Sequence, residues 1–232
     1  MLEVTEVSAG YAGNDVVHDV AFTVAASEAV AIIGSNGAGK TTLLRAVAGL
    51  HASSGGTVVL DGVDISGWSA HRISRAGLAY VPAERHLFGQ MSVAENLALG
   101  AYPSKPDSAQ LDVVFDLFPR LRDRRGQHAG TMSGGEQQML AVGRALMAKP
   151  KVLILDEPTT GLAPKLAADA YTALGVLKGE GMTILVAEQQ VPLALGLADR
   201  GYVLEDGRIE LTASSAELAN NPDVRRAYLG IA

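Results

Sequence analysis

Gly34, Gly39, Lys40 and Thr41 stand at the spacing G-x-x-x-x-G-K-[ST], directly after the apolar run Ala29 to Ile33 and at the head of a helical pattern from Lys40 to Leu50. That order of strand, glycine-rich loop and helix makes an anion cradle. Glycines let successive backbone N–H groups turn inward, and the helix start carries about half a positive charge. The predicted phosphate-binding set is therefore Gly34, Ser35, Asn36, Gly37, Ala38 and Gly39, with Lys40, Thr41 and Thr42 opening the helix. Lys40 is placed to reach the β and γ phosphates of a nucleotide, and Thr41 to offer a hydroxyl to Mg2+. A simple tight turn would use the glycines but neither the lysine nor the threonine.

Two more groups have chemistry in their spacing. Lys151-Val-Leu-Ile-Leu-Asp-Glu-Pro158 reads as a buried strand ending in two carboxylates. Asp156 suits Mg2+, directly or through water, and Glu157, pointing elsewhere, suits activation of a water for attack on a γ phosphate. Ser133-Gly-Gly-Glu136 has the S-x-x-E spacing of a capping box at the head of a helical pattern. Capping explains Ser133 and Glu136 but not Gly134 and Gly135, each of which weakens a helix by roughly 1 kcal/mol relative to alanine. Bared backbone there predicts close approach of an anion. Since the first cradle already serves one nucleotide, that anion is read as the γ phosphate held by a second subunit. Tyr11 is read as the face on which a base stacks.

These groups need a scaffold, and the 232-residue chain is large enough to bury one substantial core as a single domain. Short apolar or β-branched runs predict strands at Leu2 to Val7, Val20 to Val24, Ala29 to Ile33, Thr57 to Leu60, Leu78 to Val81, Val152 to Leu155, Thr183 to Val186 and Tyr202 to Leu204. Helical patterns lie at Lys40 to Leu50, Ala109 to Phe118, Glu136 to Ala148 and Lys165 to Lys178. Their alternation predicts an α/β fold with a largely parallel sheet, and the closely spaced N-terminal runs predict an antiparallel piece at one edge. From about Arg85 to Ala148 the strand signal disappears, which predicts an inserted helical lobe. Its cluster Arg120-Leu-Arg-Asp-Arg-Arg125 reads as a solvated face, with a contact to a partner or nucleotide as the alternative.

Composition excludes several classes. The chain has no cysteine, so disulfides and thiolate chemistry are ruled out. Although 48% of residues are hydrophobic, no apolar run approaches the roughly 18 residues of a membrane span. A net charge of −6 argues against broad binding of nucleic acid or anionic lipid, so a membrane role would work through a protein partner. The acidic start MLEVTEV lacks the basic region of a secretory signal, which predicts a cytoplasmic address.

Over nearly its whole length the chain resembles the ATP-binding subunits of ABC transporters. "GSNGAGKTT" is similar to the family's Walker A segment, "VLILDEP" to its Walker B, and "MSGGEQQ" to the signature segment usually written LSGGQ. The resemblance implies a P-loop NTPase with ATP and Mg2+ as cofactors. Its mostly parallel core sheet, with an edge antiparallel subdomain bearing the adenine-stacking Tyr11, spans about 1–84 and 149–232. An inserted helical subdomain over about 85–148 carries the signature. It also implies a head-to-tail dimer with a second ABC ATPase subunit, identical or paralogous. Permease subunits would hold the chain at the inner face of the membrane, with a solute-binding protein as an indirect partner.

The segments "AYVPAERHLFGQMSVAENLALGAY", "FPRLRDRRGQHAGTMSGGEQQMLAVGRALM", "DEPTTGLAP", "VAEQQ" and "PDVRRAYLG" are similar to the subunits of branched-chain amino-acid importers. Subunits serving urea or related amides look alike. Three positions depart from the general family pattern. Ala83 stands where most members have a glutamine that senses Mg2+ and water, with Glu84 beside it. Gln189 takes the place of the switch histidine and Ala163 that of an aspartate. With Glu157, Lys40, Thr41 and Asp156 present, an active ATPase is expected, slowed about ten-fold by Gln189 in place of a charged histidine. Two other readings compete: a soluble ABC-type ATPase of DNA repair or translation, disfavoured by the acidic balance and the missing coiled coil, and a nucleotide-binding regulator that has lost hydrolysis.

Overall fold

The computed structural model describes residues 1–229. Ten strands and nine helices are labelled here. In chain order they begin with β1 (Leu2–Tyr11), β2 (Asn14–Val24), β3 (Ala29–Ile33), α1 (Lys40–Val47), β4 (Ser53–Leu60), β5 (Val63–Asp64), α2 (Ala70–Ala76) and β6 (Leu78–Val81). A helical stretch follows, α3 (Val93–Gly100), α4 (Ser108–Leu117), α5 (Pro119–Asp123) and α6 (Gly134–Leu146). The chain then returns to β7 (Val152–Asp156), α7 (Pro164–Gly179), β8 (Thr183–Glu188), α8 (Val191–Leu197), β9 (Arg200–Glu205), β10 (Arg208–Ser214) and α9 (Ser215–Asn220).

Six strands form the central sheet in the order β10-β9-β3-β8-β7-β6, parallel throughout except for the β9–β10 hairpin at one edge. The antiparallel piece expected from the N-terminal runs is a four-stranded sheet of its own, β2-β1-β4-β5. All eight expected strands are present, six of them longer than the apolar runs that marked them. The extra residues of β2 and β4 are mostly exposed and polar or glycine, so hydropathy does not mark them. Strands β5 and β10 and helices α2, α3, α5, α8 and α9 are not among the elements that the sequence pattern predicts. All five of these helices span only five to eight residues, too short for a periodic signal to emerge.

Buried on both faces, the parallel strands are apolar without alternation, as strands covered by helices on each side must be. In β7, Leu153 and Leu155 join one core with Leu97, Leu140 and Leu174, while Val152 and Ile154 join a second core with Leu43, Val47 and Leu2. The first core is shared between the central sheet and the helical stretch, and the second between the central sheet, α1 and the antiparallel sheet. Parallel pairing puts the C-terminal ends of β3, β8, β7 and β6 on one edge, where open α/β sheets present their ligand sites. The C-terminal end of the core-lobe assignment, 230–232, lies outside the described residues.

Candidate functional site

The loop between β3 and α1 turns sharply. Gly37 and Gly39 take φ of +86° and +102°, a region that side chains disfavour, and a Cβ on Gly34 would lie 2.4 Å from the Leu204 carbonyl oxygen of β9. Helix α1 then begins at Gly39 with no side-chain cap, so its first N–H groups face the loop without a protein side chain to satisfy them. Lys40 is buried, 4% exposed, and folds back into the loop. Its ammonium donates to the carbonyls of Gly34 (2.9 Å) and Ser35 (3.0 Å) and lies 3.2 Å from Glu157 Oε1.

Thr41, one residue on, donates its hydroxyl to Asp156 Oδ1 at 3.1 Å, while the Tyr80 hydroxyl donates to Oδ2 at 2.8 Å. Asp156 is 1% exposed. Burial pushes its carboxyl above the ordinary range, and the hydrogen bonds from Tyr80 and Thr41 offset only part of that. Burial and the neighbouring carboxylate also push the Tyr80 phenol up, so it stays a donor. A hydroxyl and a carboxylate oxygen thus meet beside an uncapped helix start, a donor pair suited to a hard divalent cation.

Glu157 has φ +43°, unusual for a side-chain-bearing residue. Its backbone N–H reaches across to Ala187 O in β8 (2.9 Å), and its Oε2 accepts from the Thr160 hydroxyl (3.1 Å). Asp156 and Glu157 therefore diverge as the sequence predicts. Such strain persists only where surroundings impose it and clusters at functional sites. The next strand end adds a carboxylate that sequence reasoning missed. Glu188 is 1% exposed and accepts four bonds, from the N–H and hydroxyl of Thr159 and the N–H groups of Gln189 and Gln190. It ties the end of β8 to the turn after Glu157. Gln189 is exposed and joins this cluster through its backbone. The signal for Glu188 was available, a carboxylate closing a buried strand run as Asp156 does.

At the head of α6 the capping box is complete. Ser133 Oγ accepts from Glu136 N (3.4 Å) and donates to Glu136 Oε2 (2.8 Å), and Ser133 N donates to the same oxygen (3.0 Å). Arg124 lies 3.0 Å from Glu136 Oε1, so part of the basic cluster expected to be a solvated face makes an internal ion pair. Burial pushes the Glu136 carboxyl up, but the bonds from Ser133 and the charge of Arg124 hold it below the usual range. The two glycines differ. A Cβ on Gly135 would sit 2.8 Å from the Leu166 side chain of α7, so its bareness serves packing within the chain, whereas Gly134 has nothing closer than 3.6 Å. Tyr11, at the end of β1, is 48% exposed and leans on His51 with ring centroids 4.6 Å apart. Ala163 is the N-cap residue of α7 and gives it no side-chain cap, which an aspartate would supply.

Comparison with known proteins agrees with this arrangement. The ABC transporter family profile matches residues 17–160. The chain is 47% identical to the high-affinity branched-chain amino acid transport ATP-binding protein BraG of Pseudomonas aeruginosa, covering 99% of this chain and 100% of that one. It is 36% identical to the probable branched-chain amino acid transport ATP-binding protein LivF of Archaeoglobus fulgidus, covering 100% and 99%. It is 33% identical to the lipopolysaccharide export system ATP-binding protein LptB of Acidithiobacillus ferridurans, covering 99% and 97%. Among solved structures, the ADP conformation of MJ1267, an ATP-binding cassette of an ABC transporter, superposes with a TM-score of 0.85 at 26% identity, covering 100% and 99%. With the phosphate loop, the paired carboxylates and the family match all falling on the same residues, the chain belongs to the ABC transporter family as an ATP-hydrolysing subunit of a transporter.

Proposed function

We propose that this subunit energises the import of branched-chain amino acids. The 47% identity to BraG, running end to end, carries that reading, and the similarity to LivF supports it. The 33% similarity to LptB marks export as the competing direction. The proposed partners are a second ABC ATPase subunit, identical or paralogous, and permease subunits that hold the chain at the inner face of the membrane, with a solute-binding protein delivering cargo. Among the described residues no helix is long and apolar enough to cross a membrane.

The proposed mechanism uses the chain's own groups. The uncapped N–H groups of α1 and the loop from Gly34 to Gly39 hold the phosphates of ATP, and Tyr11 stacks the base. The Lys40 ammonium leaves the Gly34 and Ser35 carbonyls and follows the negative charge, which also releases Glu157 from its ion pair. Glu157, held by Thr160, then orients and deprotonates the attacking water. Thr41 and Asp156 would hold Mg2+, whose charge offsets that building on the phosphates. Among the described residues no group of three or more acidic, histidine or cysteine side chains could hold a metal, so phosphate and water would complete its shell. Ser133 and Gly134 of one subunit face the γ phosphate held by the other. Gln189, exposed and joined to Glu188 through its backbone N–H, takes the switch position in this reading.

The chain is proposed to work as one domain in which a helical lobe, 85–148, turns against a core lobe, 1–84 and 149–232. The groove along Ala83 to Phe88 receives a permease helix, and Phe88 is 54% exposed there. Reconstitution with the cognate permeases in proteoliposomes tests the reading. ATP-dependent uptake of leucine is expected, and uptake of urea alone, or outward transport alone, would overturn it.

A further inference from the structure

Between β6 and α3 two successive residues with side chains, Arg85 and His86, sit in the left-handed region with φ +60° and +42°. L-residues avoid this conformation, so something must impose it. Helix α6 does: Arg144 donates to the carbonyls of both, at 3.1 Å to Arg85 and 2.8 Å to His86. The corner aims the Arg85 guanidinium between two elements. Its Nε donates to Gln138 Oε1 of α6 at 3.2 Å, and its Nη2 donates to the Thr160 carbonyl at 2.9 Å. Thr160 in turn holds Glu157 Oε2 through its hydroxyl at 3.1 Å.

Gln138 is 1% exposed, and its Nε2 is buried with no hydrogen-bond partner. An orphaned buried donor costs stability, so an apolar side chain of similar size would pack there more cheaply. What the glutamine does supply is one carbonyl oxygen aimed at Arg85.

We infer that Arg85 is a positioning residue for hydrolysis, a forked link that sets the Glu157 carboxylate through Thr160 while anchoring on Gln138 of the helix that bears the Ser133 segment. Its planar guanidinium holds the two donors on separate nitrogens at a fixed spacing, one for each acceptor, whereas a lysine ammonium carries all its donors on one nitrogen at the end of a flexible stem. The inference rests on the reading of Glu157 as the group that activates water.

The test measures phosphate release by the full chain assembled with its cognate subunits, beside affinity for a non-hydrolysed ATP analogue and thermal stability. Arg85→Met is expected to lower kcat about ten-fold with analogue affinity within about two-fold of wild type, and Arg85→Lys to recover only part of the loss. Gln138→Leu is expected to lower kcat without lowering the melting temperature, an outcome a merely structural role would not give. Arg85→Met and Thr160→Val together are expected to cost less than the product of their separate effects, because both act through one carboxylate. A wild-type kcat in Arg85→Met, a loss confined to analogue affinity or melting temperature, or independent effects in the double variant would overturn the inference. Glu157→Gln separates the two layers. Unchanged turnover in that variant overturns the reading of Glu157 itself, whereas its loss alongside normal Arg85→Met turnover overturns only the role of Arg85.

Discussion

Helices α1 and α6 both begin on glycine-rich turns, yet only α6 satisfies its own first turn. At α1 no side chain caps the helix, and the Lys40 ammonium is drawn onto two loop carbonyls and Glu157. At α6 the Ser133 hydroxyl and Glu136 carboxylate close on each other, with Arg124 balancing the charge. An anion arriving at α1 would meet uncapped N–H groups and a cation that must exchange its two loop carbonyls and Glu157 for it. One arriving at α6 must displace a carboxylate already hydrogen-bonded there. Under the proposed function, the same physics of a helix N-terminus would give a site complete within one chain at α1 and, at α6, a site that gains a ligand only when a second molecule brings it.

The largest test of this contrast is Glu157→Gln, which removes the proposed general base beside α1 while leaving the cradle intact. Phosphate release should fall about 10²- to 10⁴-fold with ATP still bound, as single-turnover assays of the assembled complex would show. Lys40→Ala strikes the cradle itself. Titration with a fluorescent ATP analogue should show a loss of at least about 2 kcal/mol, or thirty-fold in Kd, and an unchanged Kd would remove the α1 site from the account.

At the other helix, Ser133→Ala should lower stability by about 1 kcal/mol through the lost cap and also slow hydrolysis in the assembled complex, while leaving analogue binding to the separate subunit unaltered. A change in that separate-subunit affinity would mean that the two helix starts are not divided as described. The smallest effect concerns pH. Glu136 is held below its ordinary value of 4.5, so the cap's stabilisation is complete above that value and is lost as pH falls through the lower folded one. Glu136→Gln should therefore flatten the acid limb of the melting-temperature curve, and an unflattened limb would show that the carboxylate contributes nothing there. Helix α1, with no carboxylate cap, has no such limb to lose.

Much of the site was legible because its chemistry is local. The loop from Gly34 to Thr42, the pair Asp156–Glu157 and the Ser133–Glu136 box each lie within a few consecutive residues, where spacing alone limits what the side chains can reach. Tyr80, Glu188, Arg85 and Gln138 were not read as part of it. Each acts across strands or between β6, α6 and the turn after β7, and the contacts Arg85–Gln138 and Arg85–Thr160 join positions 53 and 75 residues apart. Gly135 shows the opposite limit, since its neighbour in space is Leu166 of another helix, which no local pattern names.

By itself the sequence determined that a phosphate loop, a candidate metal-binding carboxylate and a candidate base would occur in one α/β chain, because strand runs, glycines and charged residues fix local geometry through short-range sterics and hydrogen bonding. Tertiary structure decided how those pieces face one another. Parallel pairing of β3, β8 and β7 brings Lys40 to 3.2 Å from Glu157 and Thr41 to 3.1 Å from Asp156, and burial then pushes the Asp156 carboxyl above its ordinary range. Such distances depend on sheet register and on which cores each strand face joins, and these are properties of the whole packed chain.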